Sequence, residues 1–355
     1  MSLSSASNAS CEELISSDES SNFSSLSKED QYFFEGAEKL LEIWFDKTEC
    51  DAQSLRLIPF DELVCMLDIA QCHILHSASN EFVDSYVLSE SSMFVFDEHI
   101  ILKTCGSTRL LYVLDYLFHL ARKYANMNVV IGVFYSHKNF MRPDRQPELH
   151  QKFPLEMNYL DRYFENGSSY CLGSLKQDCW FLYTMSLPQL ETYRPEHTLE
   201  ILMTEMSSDV LSVFSRKVCK DGKECTKKSG IDRIVPYGTI MHEELFDPCG
   251  YSMNGLLPNT DQYVTIHVTP ESGFSYASFE TNQNLCSLYQ QTLKVIEVFK
   301  PSKFLLTVFS NDFSAKGKET QQSLWECPIS GYRRANVQLL KLEFETLVYA
   351  QYVRS

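Results

Sequence analysis

Large apolar side chains are scarce over the first 29 positions, which are rich in Ser with Asn, Glu and Asp, and become regular only from Tyr32. Such a tail cannot bury enough surface to offset the entropy lost on ordering, so a disordered segment 1–29 is expected ahead of a single domain over 30–355. Phe33, Ala37, Leu40, Leu41, Trp44 and Phe45 then recur at three- and four-residue spacing, which predicts one face of a helix. Further on, Tyr86-Val87-Leu88 and Met93-Phe94-Val95-Phe96 read as strand, yet Ser89-Glu90-Ser91-Ser92 interrupts them with polar groups. Serine favours turns through local hydrogen bonds, so on composition alone this insert is a turn between two short strands.

The order of elements around the insert recurs later in the chain. The run 86–96 is followed by a strand at His99 to Thr104, a helix near Thr108 to Tyr124 and a strand at Val129 to Tyr135. Strands at Tyr263 to Val268 and Phe274 to Glu280 likewise precede a helix near Leu288 to Phe299, stopped by Pro301, and a strand at Lys303 to Phe309. This predicts a duplicated α+β unit: two antiparallel sheets face to face with helices outside, a four-layer αββα sandwich. Trp180 to Met185 and Thr198 to Thr204 add strands, the charged stretch Ser215 to Gly230 is expected as a surface loop, and Val337 to Tyr352 fits either strand or helix.

At 355 residues with 44% hydrophobic content the chain can fill a large core, and 47 acidic against 31 basic side chains give a formal charge of −16. That field repels nucleic acid and anionic membranes and draws in small cations. No stretch approaches the roughly 20 apolar residues of a membrane span, and the N-terminus lacks the basic and apolar regions of a secretory signal, so a cytoplasmic protein is expected. The 12 cysteines are scattered without a C-x-x-C pair or a zinc-like His cluster, and even Cys219 and Cys225, in a Lys-rich stretch, do not have metal-site spacing. Most are expected to be buried as small hydrophobes, with no metal.

The insert also permits a sharper chemistry. A serine hydroxyl can attack the carbonyl before it and convert amide to ester where the peptide is strained and donors stabilise the oxyanion; the pair here is Glu90 and Ser91. The stretches "FFEGAEKLLEIWF" (33–45), "YVLSESSMFV" (86–95), "ILKTCGSTRLL" (101–111), "HTLEILMTEM" (197–206), "FDPCGYSMNG" (246–255), "TIHVTPESGFSYASFETN" (265–282) and "VIEVFKPSKF" (295–304) resemble, in order, signatures of eukaryotic S-adenosylmethionine decarboxylases. The resemblance spans nearly all of Tyr32 to Phe309. It implies a proenzyme that cuts itself into 1–90 and 91–355 and converts Ser91 into a pyruvoyl cofactor, without pyridoxal phosphate or metal. The substrate S-adenosylmethionine would then form a Schiff base, lose carbon dioxide and become the aminopropyl donor for spermidine and spermine.

Residue by residue, the resemblance implies that Cys105 is the proton donor to the product carbon, suited to a thiol whose pKa neighbours can move toward neutrality. It makes Ser252 and His267 the processing pair and sets Glu35 and Glu38 near the active site, on a shared face if a helix begins that early. Phe34 and Phe246 stack the adenine, Leu88 lies against substrate, and Glu271 takes the ribose hydroxyls. Animal-type members also bind the activator putrescine; the matching positions are Glu42, Glu196, Thr198, Glu200 and Glu280, with Lys103 as charge relay and Phe134 and Phe309 as walls. Glu196 departs from the family's usual aspartate and adds a methylene to the pocket, whereas apolar Leu40, where plant-type members carry arginine, favours the diamine-responsive type. A homodimer of processed chain pairs is implied as well. Competing readings are a catalytically dead relative that activates a working partner and an unrelated thiol hydrolase pairing Cys105 with His267.

Overall fold

Residues 33–48, 51–187, 194–271 and 273–355 are described by the structure, a computed structural model. The chain divides into two compact units, 1–34 and 35–355. The tail expected over 1–29 lies outside the described residues.

The larger unit holds two eight-stranded sheets. The first comprises β1 (Lys39–Phe45), β2 (Ile74–Ser79), β3 (Asp84–Leu88), β4 (Ser91–Val95), β5 (His99–Thr104), β6 (Val130–Lys138), β7 (Ser168–Gly173) and β8 (Cys179–Ser186). The second comprises β9 (His197–Thr204), β10 (Ile240–Leu245), β11 (Tyr251–Leu256), β12 (Tyr263–Thr269), β13 (Tyr276–Thr281), β14 (Lys303–Asn311), β15 (Tyr332–Lys341) and β16 (Glu345–Arg354). Their orders are β2-β3-β4-β5-β1-β6-β8-β7 and β10-β11-β12-β13-β9-β14-β16-β15, so adding eight to each strand of the first sheet reproduces the second. The α+β duplication expected from the sequence is therefore complete at the level of topology. Among the described residues the helices are α1 (Phe60–Ala70), α2 (Leu114–Ala125), α3 (Phe153–Leu160), α4 (Ser208–Leu211), α5 (Gly222–Ser229), α6 (Leu288–Phe299) and α7 (Ala315–Glu326). None is long and apolar enough to cross a membrane.

Each sheet packs one face on helices. Leu41, Ile43 and Leu102 meet Leu63, Leu67 and Leu117 of α1 and α2, while Ile201, Met203 and Leu306 meet Leu288, Val295 and Leu324 of α6 and α7. Between the sheets, apolar contact breaks into smaller groups, one around Leu182, Leu202 and Tyr349 and another around Phe94, Ile101 and Tyr263. Polar side chains occupy the gaps.

Three expectations change. The helix expected around 33–45 is instead strand β1, with burial alternating along KLLEIWF. Both faces of this strand are covered, so apolar residues fall in adjacent pairs, and the pairs mimic helical spacing. Glu35 and Glu38 accordingly share no helix face. The loop expected over Ser215 to Gly230 contains α5, whose first turn is capped by the Asp221 carboxylate accepting from Glu224 N at 2.8 Å. The ambiguous last stretch is the hairpin β15–β16. The polar insert is a turn, as its composition predicts: Leu88 pairs with Ser91, leaving Ser89 and Glu90 to connect β3 with β4.

Candidate active site and inter-sheet pocket

The β3–β4 turn forces unusual backbone on its last residue. Ser91 has φ +132°, a region L-residues rarely adopt, and is 1% exposed. Its hydroxyl donates to Glu38 Oε1 at 2.5 Å. The Glu90 carbonyl beside it accepts from Cys105 N at 2.8 Å and Cys105 Sγ at 3.2 Å. Gly106, at φ +63°, turns the chain after Cys105 and donates its N–H to Glu35 O at 2.8 Å. Gly36 is also required, because a Cβ there would lie 2.6 Å from that of Tyr276 in the opposite sheet.

The second sheet supplies the facing groups. Ser252 and His267 are paired across β11 and β12, and His267 Nδ1 lies 2.8 Å from Ser252 Oγ. His267 Nε2 lies 2.8 Å from both Ser92 Oγ and Thr265 Oγ1 and 3.9 Å from Glu38 Oε1. Burial holds the His267 imidazole down to about 4 despite the opposing field of Glu38, so it is a neutral base. For Glu38, burial pushes upward, but the Lys103 ammonium, helped by the hydrogen bond from Ser91, holds the carboxyl below its usual range. Cys105 corrects the expectation of a thiol tuned toward neutrality. Burial pushes it well above its ordinary value, and Glu38 and Glu90 push further than Lys39 opposes, so it stays protonated.

A cavity of about 690 Å³ is lined by Glu35, Gly36 and Ala37, just ahead of Glu38, and by Met206, Cys249, Pro270, Phe274 and Tyr276, among others. Glu35, 5% exposed, accepts from Met141 N at 2.8 Å and Arg142 N at 3.1 Å. Glu271 Oε2 is buried with no hydrogen-bond partner among the described residues. Phe246 is half-buried beyond β10, its N–H donating to Gly250 O at 2.9 Å. Leu88 packs its side chain into the helix-side core, leaving only its backbone for a ligand. Phe34 belongs to the other unit and is 36% exposed.

Farther along the inter-sheet layer, a pocket of about 530 Å³ gathers Glu42, Phe134, Glu196, Thr198, Glu200, Glu280 and Phe309, with Leu40 also in its wall. Phe134 and Phe309 meet edge to face at 5.8 Å. Lys103, fully buried, contacts Glu280 Oε2 at 2.7 Å, Glu200 Oε1 at 3.5 Å and Glu38 Oε2 at 3.8 Å. It thus links the pocket to the carboxylate under Ser91. Burial pushes Glu42 up to about 8, with Glu345, Glu280 and Glu196 adding repulsion; burial and then Glu196 do the same to Glu345, also to about 8. Sequence reasoning missed Glu345, as well as Trp44, which donates to Glu42 Oε1 at 2.7 Å, and Tyr263, which donates to Glu280 Oε1 at 2.7 Å. It also missed Asn254, which accepts from Ser92 Oγ at 2.6 Å. A carboxylate in the apolar, ambiguous last stretch was the one available signal for Glu345.

A family model described as adenosylmethionine decarboxylase matches residues 31–353. The chain is 60% identical to the S-adenosylmethionine decarboxylase proenzyme of Onchocerca volvulus and 56% identical to that of Caenorhabditis elegans, each covering 92% of this chain and 89% of the relative. The Drosophila melanogaster proenzyme is 43% identical, covering 91% of this chain and 96% of its own. In fold, the chain resembles a crystal structure of Trypanosoma brucei AdoMetDC-delta26 monomer with TM-score 0.58 and 23% identity, over 74% of this chain and 99% of that one. The chain belongs to the adenosylmethionine decarboxylase family, whose members make their own pyruvoyl cofactor and serve polyamine biosynthesis.

Proposed function

We propose that this chain is a cytosolic S-adenosylmethionine decarboxylase proenzyme that cuts itself between Glu90 and Ser91, with the roles set out below. The observation that carries the cleavage is a serine at φ +132° whose hydroxyl faces a carboxylate while the preceding carbonyl holds two donors from Cys105. Strain of this kind is worth about 1–3 kcal/mol and is released when the amide becomes an ester. Glu38 takes the Ser91 proton as Oγ attacks the Glu90 carbonyl carbon; Cys105 N and Sγ hold the oxyanion, where one donor is worth about 10²–10³ in rate. Glu38 passes that proton to the Ser91 nitrogen as the C–N bond breaks, leaving an ester and a free amine. Neutral His267, oriented by Ser252, then removes the Ser91 α-proton; Glu90 departs as a carboxylate, and hydrolysis of the resulting dehydroalanine releases ammonia.

The residues around Ser91 suit the pyruvoyl group, being buried and hydrogen-bonded. The group supplies an electron sink for the pair left as carbon dioxide departs. Cys105 keeps a proton for the product carbon. Glu271, with its unpartnered buried oxygen, takes the ribose hydroxyls, Phe246 takes the adenine, and Glu35 lines the cavity that receives the sulfonium substrate.

The acidic pocket is the putrescine site. A diamine there relieves carboxylates that repel one another, and Lys103 connects the relief to Glu38. Glu196 fits this role with Glu345 beside it in charge. The homodimer implied by family resemblance belongs to the same reading, and sedimentation tests it. Intact mass spectrometry, with and without putrescine, tests the whole. Two chains parting between Glu90 and Ser91, the larger lighter by one ammonia than a serine-started chain, support it; a chain that stays whole after folding and diamine addition overturns autonomous cleavage.

A further inference from the structure

Lys39 is 0% exposed, and its side chain is directed away from the inter-sheet layer. Alternate residues of a strand take opposite faces, and Lys39 follows Leu41, Ile43 and Phe45 to the helix side of the first sheet. There its Nζ donates to Gly106 O at 3.1 Å and Gln146 Oε1 at 3.0 Å, while Gln146 Nε2 donates to the same carbonyl at 3.1 Å. The ammonium also sits 5.2 Å from the centre of the Phe140 ring. These are neutral partners, an expensive setting for a buried charge. The charged and titratable groups that reach it are Cys105, Glu156 of α3, Glu35 ahead of β1, and His150. Glu156 is committed elsewhere, to Tyr135 OH at 2.6 Å, His150 Nδ1 at 2.7 Å and His137 Nε2 at 2.8 Å. That leaves Cys105, one residue before the clamped carbonyl, as the group on which the cation acts most directly.

We propose that Lys39 is a positioning residue for decarboxylation: pinned by Gln146 behind the Cys105–Gly106 turn, its ammonium holds that turn and stabilises the thiolate left when Cys105 protonates the product carbon. The inference rests on Cys105 as the proton donor. In that step the S–H bond breaks, a C–H bond forms and the electron pair stays on sulfur, which regains a proton from water before the next turnover. Burial lowers the Lys39 ammonium to about 8, so it remains largely charged at neutral pH, and its field is the one that opposes the upward push on Cys105.

The test compares Lys39→Met, Lys39→Gln, Lys39→Arg and Gln146→Met in the processed full-length enzyme. Iodoacetamide labelling of the Cys105 peptide at pH 7, where Lys39 is charged, followed by mass spectrometry, gives a rate set by the thiolate fraction. Losing the charge slows labelling about tenfold and lowers kcat about tenfold with KM within about twofold. Lys39→Arg keeps the labelling rate, and Gln146→Met leaves it unmoved because the charge remains. Should the Met variant fail to fold or to cut itself, Lys39→Gln, which keeps a donor, and the uncut Ser91→Ala background give the same rate comparison. An unchanged labelling rate in both neutral variants overturns the proposal, even if kcat falls. A Cys105→Ala enzyme that decarboxylates at the wild-type rate overturns the donor role instead, and the labelling result stays readable apart from it.

Discussion

The two halves of the molecule share one strand plan and use it for opposite purposes. In the first, β3 and β4 are joined by Ser89 and Glu90 alone; in the second, the equivalent β11 and β12 are joined by residues 257–262. The short turn drives Ser91 to φ +132°, whereas the longer one lets Ser252 and His267 settle opposite each other in regular antiparallel register. The first half therefore holds the strained backbone together with Glu38 and Cys105 against it, and the second brings Ser252 and His267 up from the facing sheet. Duplication gave two equal sheets; the length of one turn sets the strained Ser91 apart from the regular Ser252–His267 pair.

The largest effect comes from removing that difference. Ser91→Ala leaves the chain whole and without decarboxylase activity, as gel analysis and a carbon dioxide release assay would show. Inserting two glycines between Ser89 and Glu90 relaxes the turn and slows cutting by about 10² or more, since proximity and orientation carry that step. The same insertion between Pro258 and Asn259 leaves cutting within about threefold, because no reacting group is displaced. Equal effects at both turns would sink the strain argument. Next in size, His267→Ala slows conversion by about 10²–10⁴, the usual worth of a general base, and accumulates an ester that hydroxylamine cleaves.

Lys103→Met probes the link between the site and the pocket. It leaves Glu280, 1% exposed, without the cation 2.7 Å away, and breaking a buried pair this way costs about 3–5 kcal/mol. Denaturant unfolding of the uncut chain reads the loss, and cutting no longer responds to putrescine. A preserved response would mean that the pocket signals by another route.

What the sequence made legible follows the same division. The cleavage turn was readable because its logic is local: apolar flanks, a polar insert and a serine after a carbonyl lie within Tyr86 to Phe96. The order of strands and helices was readable for the same reason. Strand β1 was not, since an element covered on both faces carries adjacent apolar residues such as Leu40-Leu41 and Ile43-Trp44-Phe45 in place of the apolar–polar sequence alternation that marks a strand. Nor were Asn254, Thr265 and Glu345, which reach their partners only when the two sheets stack. Resemblance to known signatures supplied Glu38 and Lys103, but their physical role appears only at 3.8 Å from each other in the folded chain.

The smallest effect is on stability with pH, and it separates the acidic pocket from the cleavage end. Glu42 and Glu345 are held up to about 8 and Glu200 to about 7, each by burial first, against an ordinary 4.5. A carboxyl raised in the folded state binds its proton more tightly there than when unfolded, so its contribution is full below the ordinary value and is lost as pH climbs through 7 to 8. His99, lowered by burial to about 3, and His150 and His267, lowered to about 4, work the other way, but most of their gain is reached by about 6.5 and it levels off within a further unit. Lys39, lowered by burial to about 8, adds stability only above that pH. Between pH 6.5 and 8 the carboxylates therefore dominate, and Tm of the uncut Ser91→Ala chain falls by roughly 3–6 °C. Putrescine recovers most of the fall at pH 8 and little at pH 6.5, because only ionised carboxylates need a counter-charge. Glu42→Gln and Glu345→Gln each flatten the slope, while His267→Ala leaves it unchanged in this window. A slope that survives both glutamine variants would place the titration outside the pocket.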